Sequence, residues 1–166
     1  EREVVRRICE FIARACSFVR IMIFEFGTKL DVVDYSDRPG AYAVLTNDQM
    51  QVAVIRTSHG HFLPGGGIDA AETPVEALKR EILEEIGWQV SALNEIGEAV
   101  EYIKARTDGE YYRIHSTFFK VQHGISVGDS VEKDHQLIWL SQGEAVKLLT
   151  RQSQVWAIQS VHKEVR

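Results

Sequence analysis

The sequence predicts an α/β fold, a mixed β-sheet lying between helical layers, and three observations carry that expectation. Short apolar runs with period-two spacing occur both before residue 60 and after residue 98. A helical pattern over residues 74–86, with start and stop signals, separates them. Two further helical patterns follow the last apolar run. With 166 residues, 45% hydrophobic and 26% charged, the chain is long enough to close one sizeable core, which argues against a disordered chain. Neither an internal repeat nor a low-complexity linker divides it, so residues 22–166 read as one domain preceded by an extension at 1–21.

In the extension, apolar residues at 4, 5, 8, 11, 12, 15, 16 and 19 keep helical spacing, and Arg2, Arg6, Arg7, Arg14 and Arg20 lie largely between them. This is an amphipathic basic helix. Glu10 and Arg14 interrupt the apolar centre a signal peptide needs, and Glu1, Glu3 and Glu10 oppose a transit peptide. Docking on the domain, or on a second subunit in a homodimer, is the expectation. Cys9 and Cys16 would stand roughly 10 Å apart along such a helix, too far for a disulfide. They read as thiols of a reducing, cytoplasmic compartment. No run of about eighteen uncharged apolar residues exists, so no membrane span is expected. The net charge of −5 supplies no bulk field for duplex nucleic acid.

Beyond residue 20 the strands are expected at IMIFEF, YAVLT (42–46) and QVAVIRT (51–57), the last two as a hairpin across NDQ. Ala99–Lys104 and Tyr111–Val121 read likewise, joined through Asp108-Gly109, and LIWL (137–140) reads as a short buried strand. SQGEAVKLL and QVWAIQSVHKEV carry helical spacing, with Ser141 and Ser153 as expected caps.

The segment LPGGGIDAAETPVEALKREILEEIGW, residues 63–88, carries the chemistry. Thr73 and Glu76 form a capping box, Pro74 sits where its missing N–H is harmless, and Gly87 suits the left-handed residue beyond the end. With Glu81 at zero and 100° per residue, Leu78, Ile82, Val75 and Ile86 fall at roughly 60°, 100°, 120° and 140°. Glu84, Glu81 and Glu85 fall at roughly −60°, 0° and +40°, a band of carboxylates beside the apolar stripe. Glu81 and Glu85 are like charges at i,i+4, which destabilises a helix by about 0.2–0.5 kcal/mol, and the C-terminal half disfavours anions. Arg80 alone offsets them, through Glu84. A divalent cation resolves the conflict, because oxygen ligands one turn apart suit Mg²⁺ or Mn²⁺. Gly65, Gly66 and Gly67 permit a tight loop whose carbonyls approach such an ion.

Gly66, Glu72, Arg80, Glu81, Glu84, Glu85 and Gly87, with apolar Ile82 and Trp88, match the Nudix box at every fixed position. Seven fixed residues of roughly one-in-fifteen usage make chance coincidence at one site on the order of 10⁻⁸. The chain therefore resembles the MutT-like Nudix hydrolases, whose fold is an α/β/α sandwich with a mixed sheet. More loosely, RPGAYAV (38–44), DHQLIWLS (134–141) and SQVWA (153–157) resemble a bacterial subgroup without a settled substrate.

The resemblance implies Mg²⁺- or Mn²⁺-dependent water attack at phosphorus on a small molecule containing a nucleoside diphosphate. It implies metal binding or water orientation by Glu81, Glu84 and Glu85, with a carbonyl from Gly65, and positioning of these groups by Arg80 and Glu72. For the general base, the family uses either a box glutamate or one from a later loop. Here the 124–136 loop offers Glu132, the preferred extra ligand or base, beside Asp134 and His135. His59, read as facing water, and His61 precede the box. Phe62, Tyr102, Tyr111 and Tyr112 are candidates to stack a base; Lys104, Arg106 and Arg113 are candidates to pair phosphate. The proline that marks ADP-ribose hydrolysis is missing, since Pro39, Pro64 and Pro74 are the only prolines. Tyr102 lies slightly too near the box for the dinucleoside-polyphosphate type. The resulting expectation is a nucleoside triphosphate or damaged-nucleotide hydrolase, with dinucleoside polyphosphates, nucleotide sugars, or a non-catalytic nucleotide-sensing or protein-binding module as alternatives.

Overall fold

The computed structural model describes residues 23–105, 107–130 and 134–163. The 1–21 helix, Cys9, Cys16, Arg106 and Glu132 lie outside the described residues. Five strands, β1 (Phe24–Phe26), β2 (Ser36–Leu45), β5 (Gly65–Gly67), β6 (Trp88–Lys104) and β7 (Tyr111–Ser126), form a mixed sheet in the order β1-β6-β7-β2-β5. A smaller sheet has the order β4-β3-β8, from β3 (Val52–Thr57), β4 (Gly60–Phe62) and β8 (Gln136–Leu140). The helices are α1 (Pro74–Ile86), α2 (Gln142–Leu148) and α3 (Gln152–Lys163). None of these is long and apolar enough to cross a membrane.

The α/β expectation holds, and two apolar clusters show how the layers pack. Leu78, Ile82 and Ile86 of α1 bury against Ala41, Ala43, Phe119 and Val121 of the large sheet. Ala157, Ile158 and Val161 of α3 bury with Ala99 and Phe118, together with Val52 and Val54 of β3. The expected stripe of α1 is thus its core face.

The expected β2–β3 hairpin does not form. Asn47 builds the turn, its Oδ1 accepting the N–H of Gln49 at 3.0 Å and of Gln51 at 2.9 Å. Past a single antiparallel bridge between Thr46 and Val52, however, the strands diverge into different sheets. The edge of β2 that β3 would need is taken: Gly40, Ala41 and Tyr42 pair with Gly67, Gly66 and Gly65 of β5. Ala43 continues that edge, its N–H donating to the Pro64 carbonyl at 2.8 Å. The triple glycine is therefore a strand rather than only a loop. Gly65, at φ 128°, lies so close to β2 that a Cβ would meet the Ala41 carbonyl oxygen at 2.1 Å.

Ser141 caps α2, in a capping box with Glu144. Ser153 does not cap α3; it lies inside the helix, and the N-terminal donors go to the sheet instead. The Glu101 carboxylate, 5% exposed, accepts from Gln152 N–H and Ser153 N–H at 3.1 Å each, and from Ser153 Oγ at 2.6 Å. A carboxylate at a helix N-terminus is favoured by the helix dipole as well as by these bonds. Glu101→Ala strands buried donors and should cost about 3 kcal/mol. A fall in Tm of about 6–12 °C in thermal unfolding is the expected reading.

Candidate active site

Helix α1 begins and ends where its sequence requires. Thr73 Oγ1 accepts the Glu76 N–H at 3.3 Å, the Glu76 carboxylate accepts the Thr73 N–H at 2.8 Å, and Gly87 closes the helix at φ 66°. Fixed ends fix the rotation of the acidic band. The side-chain exposure of the three glutamates follows their helical angles: 6% for Glu85, next to the core stripe, 16% for Glu81, and 43% for Glu84, which faces outward.

Arg80 ties this band to the preceding loop. Its Nε and Nη2 each donate to the Glu72 carboxylate at 2.8 Å, Nη1 donates to Glu81 at 2.7 Å and to Glu84 at 3.3 Å, and Nη2 reaches the Gly67 carbonyl at 3.1 Å. Glu72 also accepts the Asp69 N–H at 3.1 Å. The Arg80 hydrogen bonds, followed by the Asp69 N–H, pull the Glu72 carboxyl down to about 2. Because this value lies below the ordinary 4.5, the contacts contribute stability above about pH 4.5 and lose it as the pH falls towards 2. Carbon-detected NMR should therefore find the Glu72 midpoint near 2, and Arg80→Gln should move it back towards 4.5.

Glu85 is held differently. Its Oε2 accepts the Gly65 N–H at 2.8 Å, and its Oε1 lies 3.1 Å from His135 Nδ1. One buried carboxylate thus joins α1, β5 and the segment leading into β8. Glu81 in turn packs against Gly66, where a Cβ would come within 2.5 Å of the Glu81 carboxyl carbon. Among the described residues no three His, Cys, Asp or Glu groups meet as they would around a metal ion. The donor set nevertheless fits a small hard cation, being carboxylate oxygens on adjacent turns with a glycine cradle beneath Glu81.

Gly65, Glu85 and His135 help to line a cavity of about 290 Å³. Tyr42, Ile55, Phe62 and Ile114 supply aromatic and apolar wall, and Ser116, Arg151, Ser153 and Gln154 supply polar groups. Burial raises the Tyr42 hydroxyl to about 12, so it keeps its proton at neutral pH. A second cavity of about 690 Å³ adjoins the first, since His59, Phe62 and Arg151 line both. The Arg151 guanidinium lies over the Phe62 ring, 5.9 Å from its centroid.

Of the expected residues, Arg80 is bonded to Glu81 and Glu84, and Gly65 to Glu85. His135 contacts Glu85, whereas Asp134 is exposed. Phe62 lines both cavities; His59, read as facing water, is exposed and lines them as well. The three tyrosine candidates lie elsewhere. Tyr102 is buried against Tyr35, Tyr111 packs edge-on to Tyr35, and Tyr112 donates to Asp108. Arg113 pairs with Asp37 at 2.9 Å, while Lys104 lines the second cavity. Sequence reasoning missed Tyr42, Ser116, Arg151 and Gln154. One signal was present for Gln154: it sits four residues before Ile158 and seven before Val161, a polar residue on the core stripe of α3.

Residues 36–159 match the family model of the NUDIX domain. The chain belongs to the Nudix family. The "Putative 8-oxo-dGTP diphosphatase" of Bacillus subtilis (strain 168) is 30% identical over 106 residues, which make up 63% of this chain and 66% of that protein. The RNA pyrophosphohydrolase of Stutzerimonas stutzeri (strain A1501) is 36% identical over 81 residues, 48% of this chain and 51% of that protein. The matches thus span about half to two thirds of these relatives' length. The MutT protein of Methanosarcina mazei Go1 shares the fold at a TM-score of 0.64, covering 81% of this chain and 99% of that one at 17% identity.

Proposed function

We propose that this Nudix chain hydrolyses the pyrophosphate linkage of a nucleoside diphosphate derivative, a nucleoside triphosphate or a damaged nucleotide, by Mg²⁺-dependent attack of water at phosphorus. The observation that carries the reading is the position of Glu85, buried in the wall of a cavity of about 290 Å³ and on the same helix as Glu81 and Glu84. Relatives named as a diphosphatase and a pyrophosphohydrolase support it.

Glu81, Glu84 and Glu85, with the Gly65 carbonyl, would hold the cation. Bound there, Mg²⁺ or Mn²⁺ supplies charge neutralisation of the diphosphate and acidification of water. Arg80 spaces Glu81 and Glu84 from one guanidinium nitrogen and anchors both to Glu72. His135 and the Gly65 N–H hold the Glu85 carboxylate from opposite oxygens, which fixes its plane at the cavity. Proton removal from the attacking water falls to a box glutamate or to Glu132, and Glu132→Gln separates the two: a lost acidic limb in the pH–rate profile assigns the role to Glu132.

The deciding test is a panel of canonical and oxidised nucleoside triphosphates, dinucleoside polyphosphates, ADP-ribose and nucleotide sugars, with and without Mg²⁺, read by phosphorus NMR. Cleavage of a triphosphate between its phosphates, only with the metal, is the expected result. Ligand binding without turnover across the panel would overturn the proposal in favour of a non-catalytic module.

A further inference from the structure

The second cavity has no part in the proposed reaction, because none of Gly65, Glu81, Glu84, Glu85 and His135 lines it. At about 690 Å³ it is the larger of the two, and His59, Phe62 and Arg151 form the wall it shares with the first. Two cations, Lys104 and Arg151, line it. Among the described residues neither makes an ion pair or a hydrogen bond. The Lys104 ammonium lies 5.2 Å from the centroid of the Tyr111 ring, and the Arg151 guanidinium 5.9 Å from that of Phe62. A ring face holds a cation in place without neutralising it. The one carboxylate in the wall, Glu101, is buried and already accepts three hydrogen bonds from the start of α3. Arg80 and Arg113, by contrast, are paired with carboxylates. In a chain with 24 acidic and 19 basic side chains, two cations without a carboxylate in one cavity point to an anion supplied from outside.

Phosphate is the anion that suits this pair, since a guanidinium offers it parallel donors and an ammonium a point charge. It is not the cleaved pyrophosphate, which has to meet the box. A nucleoside that occupies the first cavity with its 5′-diphosphate at the box has its 2′ and 3′ oxygens left to carry a further phosphate. Resting on the reading of the chain as a nucleotide hydrolase, we infer that the second cavity is a subsite for a phosphate on the 2′ or 3′ oxygen of the substrate's ribose. Arg151 holds it from the shared wall, and Lys104 from the part that belongs to the second cavity alone. Dinucleoside polyphosphates and nucleotide sugars carry their other half beyond the pyrophosphate, so they bring no phosphate to this place. A ribose phosphate is either a terminal monoester or the diester leading to a further nucleotide, and the subsite chemistry is the same for both.

Titration calorimetry without metal tests the subsite apart from hydrolysis, using AMP, adenosine 2′,5′-bisphosphate, adenosine 3′,5′-bisphosphate and the dinucleotide pApA. One of the two bisphosphates should bind at least about tenfold more tightly than AMP, the size of one charge-assisted contact. Lys104 is exposed and lines only the second cavity, so Lys104→Gln should keep the fold and the affinity for AMP. It should lower the preference for the bisphosphate about threefold or more, and adding Arg151→Gln should abolish that preference. Bisphosphates that bind no better than AMP, or do not bind, would overturn the inference. So would a preference untouched by Lys104→Gln, or a variant that loses AMP and bisphosphate in equal proportion, as a purely structural side chain would cause. Binding of pApA as tight as that of the better bisphosphate assigns the subsite to the diester at an oligonucleotide 5′ end, and binding at the level of AMP assigns it to a terminal monoester. A bisphosphate preference in a protein that hydrolyses nothing would defeat the proposed hydrolysis and leave the subsite standing.

Discussion

Glu84→Gln is expected to lower hydrolysis by at least about 10³-fold, or about 4 kcal/mol of transition-state stabilisation, while leaving the fold intact. Its side chain is the most exposed of Glu81, Glu84 and Glu85, at 43%, and it accepts one 3.3 Å hydrogen bond, from Arg80, which an amide oxygen can also accept. The Ser130 hydroxyl donates to the Glu84 backbone carbonyl, which the substitution does not touch. What disappears is the negative charge on an oxygen donor. Thermal unfolding should therefore shift little, and the loss should appear in turnover under saturating Mg²⁺. Wild-type turnover would sink the metal-dependent reading of the box. Glu85→Gln makes the informative contrast, because Glu85 is buried and bridges Gly65 to His135. That change should reduce both turnover and Tm.

The difference between these two glutamates was already legible in the sequence, as was all of α1. Thr73, Glu76, Pro74 and Gly87 set its ends through local backbone chemistry, and fixed ends with a fixed period set which carboxylate turns inward. The β2–β3 connection was not legible. Its turn is local and was found, but the partner of β2 is decided by β5, whose glycines carry no side-chain pattern to announce a strand. The first half of β6 was hidden similarly, since Asn94, Glu95 and a bulge between Glu95 and Gly97 break its alternation while pairing with β7 holds it extended. Ser153 looked like a cap because a serine opens the apolar period; the cap came from Glu101, fifty-two residues away in sequence. The cavity depended most on tertiary structure. Tyr42, Phe62, Ser116 and Gln154 come from β2, β4, β7 and α3, and no spacing in the chain links them.

Gly66→Ala should lower turnover about 10²-fold while changing stability little, an effect transmitted through a side chain the substitution does not alter. A Cβ at Gly66 would lie 2.5 Å from the Glu81 carboxyl carbon and 2.6 and 2.8 Å from its oxygens. The obstacle is the far end of a flexible side chain, so the strain is relieved by moving Glu81 rather than the backbone. Movement of the carboxylate costs it the 2.7 Å contact with Arg80 Nη1 and displaces an oxygen that the proposed cation needs. A displacement of about 1 Å at a reacting centre is worth on the order of 10²-fold in rate. Helix α1 keeps its caps and its core face, which limits the expected change in Tm to about 2–4 °C. The mechanism predicts a specific non-additivity. With Glu81→Gln already present, adding Gly66→Ala should cost little more, because both act on the same carboxylate. Losses that multiply in the double variant would show that Gly66 serves the site by another route, such as a direct approach of its backbone to the ligand.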